Sequence, residues 1–177
     1  MKLLLRAILA FALLLPVLKS SAQSGCMLIP VKNEEKASNS SLIVEGEITA
    51  VKSYQSENKS RIYTVNTLNL FRVFKGVTIH RQIQVITEGG MVGLNRMLVT
   101  SENNFAVGDK GIFFLYPARF GYEHNPADRA SSFEVFSAEQ GFIRYDEQGD
   151  KAYAPFVEID QLPEGVNQFM GRLGYNN

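Results

Sequence analysis

Glu45 and Glu47 stand two residues apart in a stretch of strand-like alternation. That spacing puts both carboxylates on one face of the strand, about 7 Å apart. Carboxylate pairs at such separations serve glycoside hydrolysis, one as acid and the other as base or nucleophile. A hydrolase using Glu45 and Glu47 is therefore one reading, and a solvated strand face is the plainer one. A cysteine nucleophile would need a base within hydrogen-bond reach. The chain has a single cysteine, Cys26, and two histidines, His80 and His124, and nothing in their spacing joins them. No HExxH or CxxC pattern occurs, so neither a metal centre nor a cofactor is expected. The glycines of Glu88–Gly93 (EGGMVG) could offer amide groups to an anion. They lack the Lys-Ser/Thr of a phosphate loop, and a turn or bulge accounts for them.

Aromatic side chains beside cations make a different kind of site. They occur in Lys52–Arg61, with Tyr54, Lys59 and Arg61, and in Ala118–Arg129, with Arg119, Phe120, Tyr122 and His124. Such pairings suit sugars, peptides or single-stranded nucleic acid. These seven residues are the candidate binding residues; an ordinary variable loop is the bland alternative.

The elements that must position them read as strands. Leu42–Val51 alternates, with Leu42, Val44, Gly46, Ile48 and Ala50 on one face and Ile43, Glu45, Glu47 and Thr49 on the other. Ile62–Phe74 is long and β-rich, and its apolar phase slips between Val65 and Leu68 and again at Phe71. A slip of this kind means a bulge or a strand that passes between packing layers, which is how small barrels turn corners. Lys75-Gly76 ends that strand, and Gln82–Thr87 alternates again. Gly111–Tyr116 is apolar throughout, which suits a strand buried on both faces. Short strands at Phe133–Phe136, Gly141–Tyr145 and Lys151–Ala154 follow, the last two forming a hairpin, and Pro163-Glu164 can open a short helix. Asn33–Ala37 supports one or two helical turns.

With 177 residues the chain suits one domain. Lys2 and Arg6, the apolar Ala7–Leu18 and the small residues Ser20-Ser21-Ala22 have the three-part pattern of a secretory signal peptide. Without residues 1–22 the chain loses Lys2, Arg6 and Lys19, leaving 15 basic against 18 acidic residues, a net charge of −3. A mildly acidic exported protein has no overall attraction for nucleic acid. One cysteine cannot form an internal disulfide. Cys26 follows Gln23-Ser24-Gly25, a poor lipidation site, so membrane attachment is expected only if Cys26 carries lipid.

The series IVEGEI at Ile43–Ile48, RIYTV at Arg61–Val65, VFKG at Val73–Gly76, TEGGMVG at Thr87–Gly93 and FAVGDKGIFFL at Phe105–Leu115 resembles an amino-terminal module of secreted Bacteroidota proteins. That module is similar to the OB-like barrel of tissue inhibitors of metalloproteinases. The resemblance spans roughly residues 26–117. It implies an all-β, small, partly open barrel of about five strands, extended here by a carboxy-terminal β-hairpin and a short helix. Inhibitors of that group chelate the protease zinc through a free amino-terminal cysteine in a CxC pattern. Here Met27-Leu28 follows Cys26, so the second cysteine is missing.

The expected organisation is a signal peptide at 1–22, a lead-in at 23–41, the barrel at 42–117, and a loop, hairpin and tail at 118–177 packed on the same domain. The expected function is a secreted or cell-surface, non-enzymatic module that contacts extracellular protein or glycan. The alternatives are a metalloprotease-inhibitor-like protein and the carboxylate hydrolase.

Overall fold

The computed structural model describes residues 29–120, 129–146, 148 and 150–175. In chain order these form helix α1 (Asn33–Asn39), strands β1 (Leu42–Gln55), β2 (Ile62–Lys75), β3 (Gln82–Glu88), β4 (Gly90–Val92), β5 (Asn95–Met97), β6 (Lys110–Pro117), β7 (Ser132–Val135), β8 (Phe142–Tyr145), β9 (Lys151–Ala154) and β10 (Val157–Asp160), and helix α2 (Glu164–Arg172).

A closed five-stranded barrel runs β1-β2-β3-β7-β6 and back to β1. All its pairings are antiparallel except β3 with β7. This is an OB-like barrel, all-β as expected, and it is closed rather than partly open. Its fifth stave, β7, comes from beyond Pro117, in the segment expected to pack outside the ring. A four-residue strand, in parallel register with β3 only at Ser132 and Phe133, is too short to announce itself as a barrel strand.

Closure depends on bends in the two longest strands. Along β1 and β2 the register skips Phe74, then Phe71, then Thr49. The expected slip at Phe71 is thus a bulge, which turns its ring to solvent. The slip between Val65 and Leu68 is a change of layer: Tyr63 and Val65 pack outside the ring, whereas Leu68 packs inside it.

β6 is buried on both faces, as its apolar run suggests. Phe113 and Leu115 fill the barrel with Val44, Ile48, Leu68 and Ile83, while Ile112 and Phe114 face a second core outside it. Each such side chain withdrawn from water contributes about 1.5–3 kcal/mol. One edge of β6 pairs with β1, and the other is divided between β7 and β8. From that division β8, β9 and β10 form an antiparallel meander. The meander and α2 bury Ile143, Ile159, Val166, Phe169 and Met170 against the outer face of the ring.

The apolar side of α2 explains its docking, and Glu164 and Arg172 lie in its first and last turns, where they complement the helix dipole. The short helix expected to open at Pro163-Glu164 is present and begins at Glu164.

Glu45 and Glu47 have structural partners. Glu45 accepts from Arg72 Nε at 3.0 Å, from Arg72 Nη2 at 2.9 Å and from the Tyr145 hydroxyl at 2.7 Å. Arg72 also donates to Asn167 Oδ1 on α2 at 2.8 Å, so the cluster ties the ring to the meander and the helix. Glu47 lies 3.6 Å from Lys110 Nζ.

Candidate binding site

Near the end of β1, Tyr54 lies directly across from Tyr63 on β2, on the outer face of the ring. Its ring stacks on Tyr63 with centroids 6.2 Å apart, and Lys52 lies 5.0 Å from the Tyr54 centroid. Tyr63 and Val65 on β2, Ile86 on β3 and Ala118 form a small apolar cluster, and Tyr54 and Phe120 both pack on it. The two aromatic–cation segments singled out from sequence therefore meet on the outer face of β2 and β3. That face and its flanking loops are where OB-like barrels take their ligands.

Glu134 anchors the second segment. Alternation along β7 turns Phe133 and Val135 into the barrel and Glu134 outward, toward Tyr116 on the neighbouring strand. Its side chain is only 6 % exposed. It accepts from the Tyr116 hydroxyl at 2.7 Å, from the Arg119 backbone N–H, and from Arg119 Nε and Nη2 at 3.2 and 2.9 Å. Arg119 Nη2 also donates to the Tyr116 oxygen at 2.7 Å. Burial and the adjacent Glu134 carboxylate push the Tyr116 hydroxyl well above the usual tyrosine range, while Glu134 raises the Arg119 guanidinium. Tyr116 is thus a fixed donor at neutral pH.

Glu134→Gln keeps the shape but removes the charge that organises this network. We expect a loss of about 2 kcal/mol in urea unfolding, with Tyr116→Phe costing about half as much. Equal stability of Glu134→Gln and the parent would mean that solvent already screens the network.

Two clefts lie on this side of the barrel, and the second of them adjoins the anchor. One, of 480 Å³, opens at the barrel mouth; Ser53, Thr64, Thr87 and Phe105 line it below, and Met91, Met97 and Leu98 line it at the β4–β5 hairpin. The hairpin can sit this close because Gly90 has no side chain: a Cβ there would collide with the hydroxyls of Ser53 and Thr64. The other, of 450 Å³, runs past Ile86, Tyr116, Arg119, Phe120 and Glu134. Glu88 and Glu102 line both. Arg61 lies 3.6 Å from Glu88, a largely exposed contact that adds little. Among the described residues no cation pairs with Glu102, which accepts only from the Asn103 N–H at 3.3 Å.

Burial pushes the Glu102 carboxyl up to about 7; Glu134 and Glu88 add to the rise, while the Asn103 N–H and Arg119 oppose it. A folded value above the unfolded one of about 4.3 means the folded state holds an extra proton between them. Stability should therefore fall as pH rises through that window and level off above about 7. Glu102→Gln should flatten the fall and stabilise the protein at pH 8 by ~1 kcal/mol, a figure reduced for the side chain's contact with solvent. Urea unfolding of parent and variant at pH 5 to 8 would show this as curves that diverge with pH, whereas parallel curves would contradict it.

No family model matches this chain, and no curated protein matches it. Tyr54, Arg61, Arg119 and Phe120 gather at this end of the barrel, whereas Lys59 holds a left-handed turn position (φ 57°) at the tip of the β1–β2 connection. Tyr122, His124 and Cys26 lie outside the described residues, as does the expected signal peptide. His80 sits in the β2–β3 connection, at the opposite end of β2. Among the described residues no group of histidine, cysteine and carboxylate side chains could hold a metal ion, and no helix is long and apolar enough to cross a membrane.

Tyr116, Glu134, Glu88 and Glu102 were not legible as site residues. The signal that could have found Glu134 is its place between the apolar Phe133 and Val135 on a short strand, which alternation turns outward.

Proposed function

We propose that the protein is a secreted, non-enzymatic binding module, and that the barrel end carrying Tyr54, Phe120 and the β4–β5 hairpin contacts an extracellular protein or glycan. The observation that carries this reading is the convergence of Tyr54 and Phe120 on one apolar cluster. Beside it are the two clefts and the exposed Met91, Leu94 and Leu98. An aromatic platform next to concave, mixed-polarity clefts has the composition of a recognition surface. Secretion is supported by the charged start, apolar run and small-residue end of residues 1–22.

The test is a screen of the immobilised protein against purified envelope proteins and glycans, repeated with Met91→Asp and Leu98→Asp. Both side chains are largely exposed, so both variants should fold. Binding should weaken at least about tenfold in each if these side chains touch the ligand. Undiminished binding to both variants would place the ligand elsewhere, and an absence of any binding would overturn the module itself.

A further inference from the structure

Strand β1 outruns the partner that closes the barrel. β6 pairs with it from Leu42 to Glu47, and the chain ahead of β6 stays beside it for one residue more: Ile48 N–H donates to the Asp109 carbonyl at 2.9 Å and Gly108 N–H to the Ile48 carbonyl at 2.8 Å. Beyond Ile48, β1 pairs with β2 alone, and Thr49 to Lys52 are exposed.

The phase of the ladder decides which backbone groups are left over. Antiparallel pairs alternate between residues that exchange hydrogen bonds and residues that do not. Ser56 N–H donates to the Arg61 carbonyl at 3.0 Å, so Tyr54 with Tyr63, Lys52 with Val65 and Ala50 with Thr67 are the bonded pairs. The other side of β2 agrees: Gly89 N–H donates to the Ile62 carbonyl at 2.7 Å, which puts Thr64 and Asn66 in bonding phase with β3. Val51 and Ser53 therefore turn their N–H and C=O groups away from β2, and among the described residues nothing pairs with them. The β4–β5 hairpin meets Ser53 only at its hydroxyl, which accepts from Met91 N–H at 3.4 Å. Two N–H and two C=O groups in this spacing are half of an antiparallel ladder, and their complement is another extended backbone.

Side chains narrow the occupant. Val51 and Ser53 line the cleft at the barrel mouth, where Met91 and Leu98 add apolar surface, whereas Lys52 lies on the opposite face beside the Tyr54 ring. A second copy paired edge to edge would set Lys52 against Lys52, a like-charge opposition that weakens a ladder. A strand with a carboxylate opposite Lys52 and apolar residues on either side of it suits both faces.

We propose that the edge of β1 at Val51–Ser53 accepts an extended segment of a protein partner as an added antiparallel strand, with an acidic residue opposite Lys52 and apolar neighbours on the cleft side. The proposal rests on the binding reading and narrows it from protein or glycan to an extended acidic–apolar peptide.

Amide hydrogen exchange of the 15N-labelled protein reads this edge directly. In the free protein Val51 and Ser53 should exchange at least about tenfold faster than Ala50 and Lys52, whose N–H groups bond to β2. The probe is acetyl-Thr-Val-Glu-Val-Thr-amide, compared with the same peptide N-methylated at both valines and with a counterpart carrying lysine at its centre. The first peptide should slow Val51 and Ser53 saturably, and bind at least about tenfold more tightly than the N-methylated form and about fivefold more tightly than the lysine form. Lys52→Glu should reverse the order of the acidic and lysine peptides. Val51→Pro, which removes a donor that β2 does not use, should remove most of the response. An unchanged amide signal of the buried Met170 reports that each variant is folded.

Equal binding of the N-methylated peptide, or no binding of any of the three, overturns the proposal. Slow exchange of Val51 and Ser53 without peptide also overturns it, and protection that grows with protein concentration would seat a second copy on the edge. The broader binding reading is decided separately, by whether a ligand from the screen loses affinity for Met91→Asp and Leu98→Asp.

Discussion

Replacing Gly46 by valine should prevent this chain from closing its barrel. Gly46 on β1 pairs with Gly111 on β6, at the seam where the ring is completed. Even a single Cβ at Gly46 would press into the Asn69 carbonyl oxygen and stand 2.9 Å from Leu68 Cδ1. The obstacle is backbone, and it sits beside the Phe71 bulge that bends β2, so relaxation would have to move both long strands. Overpacking of this kind costs about 3 kcal/mol or more. We expect Gly46→Ala to show a marked drop in urea midpoint and Gly46→Val to be largely unfolded.

Gly108→Ala is the control. Its backbone is left-handed at φ 96°, but a Cβ there meets nothing within 4 Å. It should lose only about 1–2 kcal/mol, the cost of that backbone conformation for an alanine. If Gly46→Ala were as stable as the parent, the tight approach of β1 to β2 at this position would be wrong.

Glu45→Ala should be the second severe substitution, with a loss of about 3 kcal/mol. Glu45 holds Arg72 through two donors and Tyr145 through its hydroxyl, and its side chain is 14 % exposed. Burial and the Glu45 carboxylate hold the Tyr145 hydroxyl protonated far above the usual tyrosine range, so it is a permanent donor to that carboxylate. Removing Glu45 strands the Tyr145 hydroxyl and leaves Arg72 packed over the Phe74 ring at 4.6 Å without its counter-charge.

Tyr145→Phe should cost only about 1 kcal/mol, since the ring remains. A double-mutant cycle between Glu45→Ala and Tyr145→Phe should give a coupling of about 1 kcal/mol. Additive losses would show that the two residues are not joined. The carboxylate pair that suggested hydrolysis thus has an assigned structural job, Glu45 as a clamp between ring and meander and Glu47 beside Lys110.

How far these features were readable depends on whether their causes are local. The slip at Phe71 and the two-faced burial of Gly111–Tyr116 are properties of adjacent residues and appear as expected; the alternation of Leu42–Val51 holds to Ile48 and then breaks, where the register skips Thr49 and leaves Ala50 and Val51 exposed. The closed ring was less visible because β7 is four residues long and its parallel partner β3 lies about 50 positions away, where no turn signal links them.

The site was half legible. Aromatics beside cations drew attention to Tyr54 and Phe120, whose meeting at Ile86 follows from the barrel's shape. Glu102 sits in a polar loop and looks like any solvated glutamate. Its raised pKa arises from burial and from Glu134 and Glu88, 32 and 14 positions away, and such crowding exists only in the folded chain.

Hydrogen exchange of the protein, measured with and without the first ligand found in the screen, tests the binding surface most directly. Protection is predicted in residues 87–99 and 117–120, around the two clefts. Protection confined to the meander and helix at 142–172, with the clefts unchanged, would contradict the assignment of function to this end of the barrel.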